Sequence, residues 1–159
     1  MGGSNKMDLG PSDKVKPILE QVKAFIDDEI LPVEQEYHEE VDKGDRWQFT
    51  SRQTEILEDL KKKARAKNLW NFFLTHWEGG YGLNTVEYSY IAEETGRSHL
   101  APEVFNCSAP DTGNMEVLAR YCSDEQKKKW LVPLLNGEIR SAYAMTEPGV
   151  ASSDAKNIS

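Results

Sequence analysis

SAYAMTEPGVASSDAKNIS, residues 141–159, is the stretch where a chain of helical period changes character. Residues 141–145 alternate small or polar with larger side chains, which predicts a short strand. Thr146, Glu147, Pro148 and Gly149 end it, because Pro148 disfavours helix at Glu147 and Gly149 tolerates a positive φ. Val150, Ala151, Ser152, Ser153 and Asp154 follow, small residues with free amides and two hydroxyls. Such a loop suits an anion or the polar edge of a flat ligand, although a plain surface turn has the same composition.

Upstream of this stretch the pattern is helical. Val15, Ile18, Leu19, Val22, Phe25 and Ile26 recur at three- and four-residue spacings, with Ser12 as cap and Pro17 early enough to be tolerated. Leu31-Pro32 predicts an interruption, and Val33, Tyr37 and Val41 a continuation, giving a helix pair or a kinked helix. Glu34, Glu36, Glu39 and Glu40 surround His38, yet no histidine stands in a Glu-x-x-His pair, so a solvated acidic face is expected. Thr50 or Ser51 caps a helix with Ile56, Leu57, Leu60 and Ala64 inward, a cationic outer face of Lys61, Lys62, Lys63, Arg65 and Lys67, and Asn68 as a left-handed stop. Leu69, Trp70, Phe72, Phe73 and Leu74 lack helical period and predict a buried extended connector.

Gly79, Gly80 and Gly82 mark a tight loop that lacks the third glycine of a dinucleotide fingerprint. Asn84 and Glu87 form a capping box for a helix ending at Gly96, with Tyr88 and Tyr90 toward the core. Residues 102–113 are rich in small side chains, open to close approach by another group. Met115, Val117, Leu118 and Tyr121 predict a short helix. A second capping box, Ser123 with Gln126, opens a last helix whose buried side is Trp130, Leu131, Leu134 and Leu135, kinked by Pro133 and stopped by Gly137. His76 and His99 read as satisfied or solvent-facing imidazoles, and Cys107 has no histidine at a spacing that supports a nucleophile.

Composition narrows the function classes. A length of 159 residues suits one domain of ordinary size with a real core. A net charge of −8 disfavours both nucleic acid and anionic membrane surfaces, which need clustered cations. No apolar run approaches the roughly 20 residues that span a bilayer. Two cysteines make no disulfide framework, so a reducing compartment is expected. Met1-Gly2-Gly3-Ser4 resembles an expression-tag remnant, and residues 1–11 are expected to be a disordered start.

Several motifs in a fixed order carry a resemblance. Ala144-Met145-Thr146-Glu147-Pro148 with Ser153-Asp154, the glycine loop at Gly79-Gly80-Tyr81-Gly82-Leu83, Glu93-Glu94-Thr95-Gly96-Arg97, and Ser123-Asp124-Glu125-Gln126-Lys127-Lys128-Lys129 resemble landmarks of the acyl-CoA dehydrogenase family. Residues 105–115 and the Val150–Ala155 form of the signature are similar to the subgroup of family members ten and eleven. That form adds one residue between Glu147-Pro148 and Ser153-Asp154 and lacks a usual glycine. The resemblance implies a mainly α fold: an N-terminal helical bundle of the acyl-CoA dehydrogenase type over 12–138, then the first strand and flavin-binding loop of a middle β domain over 139–159.

What the resemblance implies for function follows from the reaction. Dehydrogenating an acyl thioester between its α and β carbons needs a base, a hydride acceptor and donors on the carbonyl. FAD is the family's acceptor. By the resemblance Met145 and Ala144 run along the ring, Met145 offers main-chain groups, Thr146 offers a hydroxyl and Tyr143 packs by the ring. Ser152 and Ser153 approach the pyrophosphate, and Ser153 also approaches the CoA part of a fatty acyl-CoA substrate. The family takes its carboxylate base from a later helical domain, so no catalytic residue is assigned here and this polypeptide alone is expected to be inactive. Electron-transfer flavoprotein is the implied acceptor, and homo-oligomers are the family rule. The expected location is intracellular: cytoplasm in a bacterium, mitochondrion or peroxisome in a eukaryote. A non-catalytic helical interaction module of the same fold and an acyl-CoA oxidase stay open as alternatives.

Overall fold

A computed structural model describes residues 10–45, 47–75, 80–150, 154 and 156–157. Every regular element among them is helical: α1 Lys16–Phe25, α2 Leu31–Val41, α3 Ser51–Ala66, α4 Thr85–Thr95, α5 Ala101–Val104, α6 Asp111–Tyr121, α7 Asp124–Gln126 and α8 Val132–Leu135. The chain divides into two compact units between Ser108 and Ala109.

The first unit is built on α1 and α2, which do not separate. A π-helical turn, Ile26–Ile30, joins them, and the Leu31 amide donates to the Ile26 carbonyl five residues back. Pro32 has no N–H to give and its ring would crowd the carbonyl of Asp28; widening the preceding turn relieves both. The expected interruption at Leu31-Pro32 is therefore a local change of helical pitch. The second unit repeats the device, with a π turn at Lys127–Leu131 ahead of Pro133 and the Val132 amide bonded to the Lys127 carbonyl. Ser12 lies one turn before α1 proper; its carbonyl accepts from Val15 and Lys16.

α3 begins on a complete capping box, with the Thr50 side chain accepting from the Gln53 amide at 3.1 Å and Gln53 Oε1 accepting from the Thr50 amide at 3.0 Å. It ends in a Schellman turn: Asn68 takes φ 58°, its amide donates to Arg65, and the Leu69 amide reaches back to Ala64 at 2.9 Å. Ile56, Leu57, Leu60 and Ala64 are buried, as their spacing requires. Lys61 corrects the expectation of a wholly solvated cationic face. It is only 9% exposed, and its ammonium lies 2.7 Å from Glu103 of α5.

Leu69, Phe72, Phe73 and Leu74 are buried, but the connector they form is turned, not extended. Asn71 adopts φ 58° and its amide donates to the Phe105 carbonyl, 34 residues on, which bends the chain so that successive large side chains reach the core. Phe105 sits between Phe25 and Phe72 at ring distances of 5.4 and 5.7 Å, tilted as aromatic quadrupoles prefer. At Gly80 a Cβ would overlap the Leu74 carbonyl oxygen, so the loop approaches the connector more closely than any side chain allows. Asn84 and Glu87 form the expected box at the start of α4, and Glu87 also accepts from the Ser12 hydroxyl at 2.8 Å, which ties the N-terminal segment to α4.

The second unit buries Met115 and Ala119 of α6 against Leu131 and Leu134. Trp130, expected on the buried side, is exposed, and so are Val117 and Tyr121 of α6. With Met115 and Ala119 four residues apart on the inward face, the helical period turns Val117 and Tyr121 away from it. Ser123 and Gln126 form the predicted capping box, and Gly137 ends the run at φ 69°.

The strand predicted for 141–145 is not formed: residues 141–147 are neither helix nor strand. A strand exists only by pairing with another, and no second strand is present among the described residues.

Candidate functional site

Within the second unit, a single carboxylate fixes the chain at Arg140 and Ser141, just before the stretch singled out from sequence. Asp111, the first residue of α6, is 3% exposed. Its Oδ1 accepts from the Ser141 amide at 2.7 Å and from the Ser141 hydroxyl at 2.5 Å, and its Oδ2 accepts from Arg140 Nε at 2.5 Å. Asn114, three residues on and therefore on the same helix face, donates to Ser141 Oγ at 2.9 Å and to the Ala142 carbonyl at 3.4 Å. Burial works against the charge on Asp111, but the Ser141 hydroxyl and amide and the Arg140 guanidinium outweigh it and hold the carboxyl below its ordinary range. Charge-assisted bonds of this kind are short and directional, so position 141 is fixed relative to α6.

Beyond the anchor the chain is open. Tyr143 is 67% exposed, Ala144 and Thr146 are exposed and Met145 is half-buried. Among the described residues, the main-chain groups of Tyr143, Ala144 and Met145 meet no hydrogen-bonding partner. A run of unpaired amides and carbonyls beside an exposed aromatic ring can meet the polar edge of a flat heterocyclic ligand. Ser152 and Ser153 lie outside the described residues. Next to the anchor, Val117, Leu118, Trp130, Leu134 and Ile139 line a cleft of about 320 Å³ whose polar end is Asn114, Arg140 and Ser141.

Glu34, His38, His99 and Cys107 have structural surroundings. Glu34 accepts from the Ser98 hydroxyl at 2.7 Å and the His99 amide at 2.9 Å, so part of the acidic face of α2 serves to hold the loop after α4. The His38 and His99 rings lie edge to face, 5.9 Å apart, and no three ligand-type side chains among the described residues converge on a metal position. Burial pushes the Cys107 thiol up to about 11, which suits packing and not nucleophilic attack.

A model of the acyl-CoA dehydrogenase N-terminal domain matches residues 12–138. The chain belongs to the acyl-CoA dehydrogenase family. It is 50% identical over 154 residues to mouse acyl-CoA dehydrogenase family member 10, covering 94% of this chain and 14% of the relative. It is 49% identical over 149 residues to human acyl-CoA dehydrogenase family member 11, covering 91% and 18%. A solved structure from Mycobacterium abscessus, assigned to the acyl-CoA dehydrogenases, superposes with a TM-score of 0.82 at 49% identity, covering 94% of this chain and 38% of that one. The chain thus spans under a fifth of those curated relatives and well under half of the solved neighbour. The helical acyl-CoA dehydrogenase fold expected from the motifs is the fold observed, except for the missing strand.

Asp111, Asn114 and Arg140 were not among the residues assigned to the site from sequence. Asp111 and Asn114 carry a weak signal, two polar side chains at helical i, i+3 spacing beside small residues. Nothing local marks a partner 30 positions away.

Proposed function

We propose that this chain is the N-terminal part of the flavin and substrate site of an FAD-dependent acyl-CoA dehydrogenase that oxidises a fatty acyl-CoA thioester between its α and β carbons, as in fatty-acid β-oxidation. The observation that carries the reading is the main chain of residues 143–145, without hydrogen-bonding partners among the described residues and held at its base by Asp111, in a chain of this family. FAD, when bound, supplies the hydride acceptor.

The chain's own residues orient and bind. The carbonyl and amide of Met145, with those of Ala144, meet the polar edge of the ring system, Thr146 adds a hydroxyl, and Tyr143 packs its ring alongside. Ser152 and Ser153 lie by the pyrophosphate, and Ser153 also by the CoA part of the thioester. Short, small side chains in this stretch let main-chain donors approach an anion closely. Abstraction of the α proton is assigned to no carboxylate of these residues. Electrons pass on to an electron-transfer flavoprotein, and the whole enzyme is a homo-oligomer.

The test is acyl-CoA oxidation by the native polypeptide that carries these residues, followed with an artificial electron acceptor and separately with oxygen. Turnover with the acceptor and none with oxygen supports the dehydrogenase; turnover with oxygen alone makes it an oxidase. Neither, with flavin absent, makes it a non-catalytic module of the same fold.

A further inference from the structure

We propose that Asp111 is a positioning residue for the flavin site: through Ser141 it sets where the 143–146 segment stands, so cofactor affinity depends on a side chain that does not touch the cofactor. The inference rests on the flavin reading above and adds to it a residue outside the binding stretch.

Three observations carry it. The Asp111 carboxylate is buried at the first position of α6, where an Asp commonly bonds the amides of its own helix, yet its hydrogen bonds in this structure run to Ser141 and Arg140. Second, Asn114 on the same face turns its amide group to Ser141 and Ala142, so two α6 side chains converge on one point. The Ser141 hydroxyl links them, donating to Asp111 and accepting from Asn114. Third, the open residues begin directly after this point, since Ala142 still accepts from Asn114 while Tyr143, Ala144 and Met145 have no partner among the described residues.

Geometry makes the consequence specific. The segment has no strand ladder to hold it in the described structure, so its direction is inherited from Ser141. Backbone donors act on a bound ring only within narrow limits of distance and angle. Releasing Ser141 therefore spreads residues 143–145 over many positions, and binding must select one of them, which lowers the apparent affinity by the fraction of time the right one is occupied. A substitution confined to the anchor is expected to weaken FAD about tenfold, the effect of losing one charge-assisted hydrogen bond.

The experiment uses the native polypeptide with Asp111→Asn and, separately, Asn114→Ala, which removes only the bonds to Ser141 and Ala142 and favours helix at that position. Three quantities are read: amide hydrogen exchange at Ser141, whose amide is bonded to Asp111, in the FAD-free protein, the dissociation constant for FAD, and the shape of the bound flavin's visible spectrum. The proposal expects faster exchange at Ser141 in both variants. It also expects affinity reduced about tenfold in Asp111→Asn and less in Asn114→Ala, with an altered flavin spectrum and unchanged far-ultraviolet dichroism. Faster exchange with unchanged FAD affinity and spectrum overturns it, leaving the anchor a packing device. Weaker FAD binding without any change in exchange also overturns it, since the effect then bypasses Ser141. If wild-type protein binds no FAD, the functional reading itself fails, an outcome visible before any variant is made.

Discussion

Replacing Lys61 by Met tests the packing account at the point where it departs most from a sequence reading. The Lys61 and Glu103 side chains are 11% and 20% exposed and meet at 2.7 Å, with Glu58 at 3.6 Å as a weaker second partner of the ammonium. Methionine fills a similar volume, so the main loss is electrostatic: Glu103, mostly buried, loses its 2.7 Å ion pair with Lys61. Removing one partner of a buried pair costs about 3–5 kcal/mol. The residual exposure of Glu103 and the water it admits reduce this to about 2–4 kcal/mol. In a chain of this length the thermal midpoint should fall by roughly 5–15 °C. The double variant Lys61→Met with Glu103→Met should recover to within about 1 kcal/mol of wild type, because no charge is then left behind. Urea denaturation followed by helical dichroism gives all three values, and Glu103→Met completes the cycle. A neutral Lys61→Met, or a double variant as unstable as the single, refutes the reasoning. Tyr37 supplies an independent readout: burial and then the charge of Glu103 raise its hydroxyl pKa, so Glu103→Gln should lower the pH of its ultraviolet titration.

Other outcomes follow from the same structure. Phe105→Ala removes a ring fully buried between Phe25 and Phe72 and should cost about 3–5 kcal/mol in the same urea assay. Asp111 is held below its ordinary pKa, so its ionised form stabilises the folded chain above the carboxylate range, and that contribution is lost as pH falls through about 4 toward the lower folded value. Wild-type stability measured from about pH 6 to pH 3 should therefore fall more steeply than that of Asp111→Asn, and parallel curves would contradict the anchor. Thr146→Ala and Ser153→Ala in the native polypeptide should each reduce flavin content with little effect on helical dichroism; unchanged flavin content would remove the loop from the site.

Local signals were the legible ones. Capping boxes at Thr50, Asn84 and Ser123, the left-handed Asn68 and the Gly137 stop depend on neighbours three or four residues apart, and each formed as read. Apolar period placed Ile56, Leu57, Leu60 and Ala64 in the core for the same reason. What failed depends on distant partners. Lys61 looks like one cation among five until Glu103 arrives from α5. Alternation at 141–145 specifies a strand only if another strand lies beside it. At Pro32 and Pro133 the sequence marks a break, yet a five-residue turn absorbs the proline, a solution that periodicity cannot distinguish from a kink. The side chains that hold Ser141 and Ala142, Asp111 and Asn114, were not readable, because their partners lie about 30 residues away.

The most direct measurement is the visible absorbance of the native polypeptide carrying these residues after incubation with FAD and removal of free cofactor, compared with its Thr146→Ala variant. The account predicts a retained flavin spectrum in the wild type and a diminished one in the variant. A colourless wild-type protein with full helical dichroism would contradict it and leave the fold without the proposed cofactor.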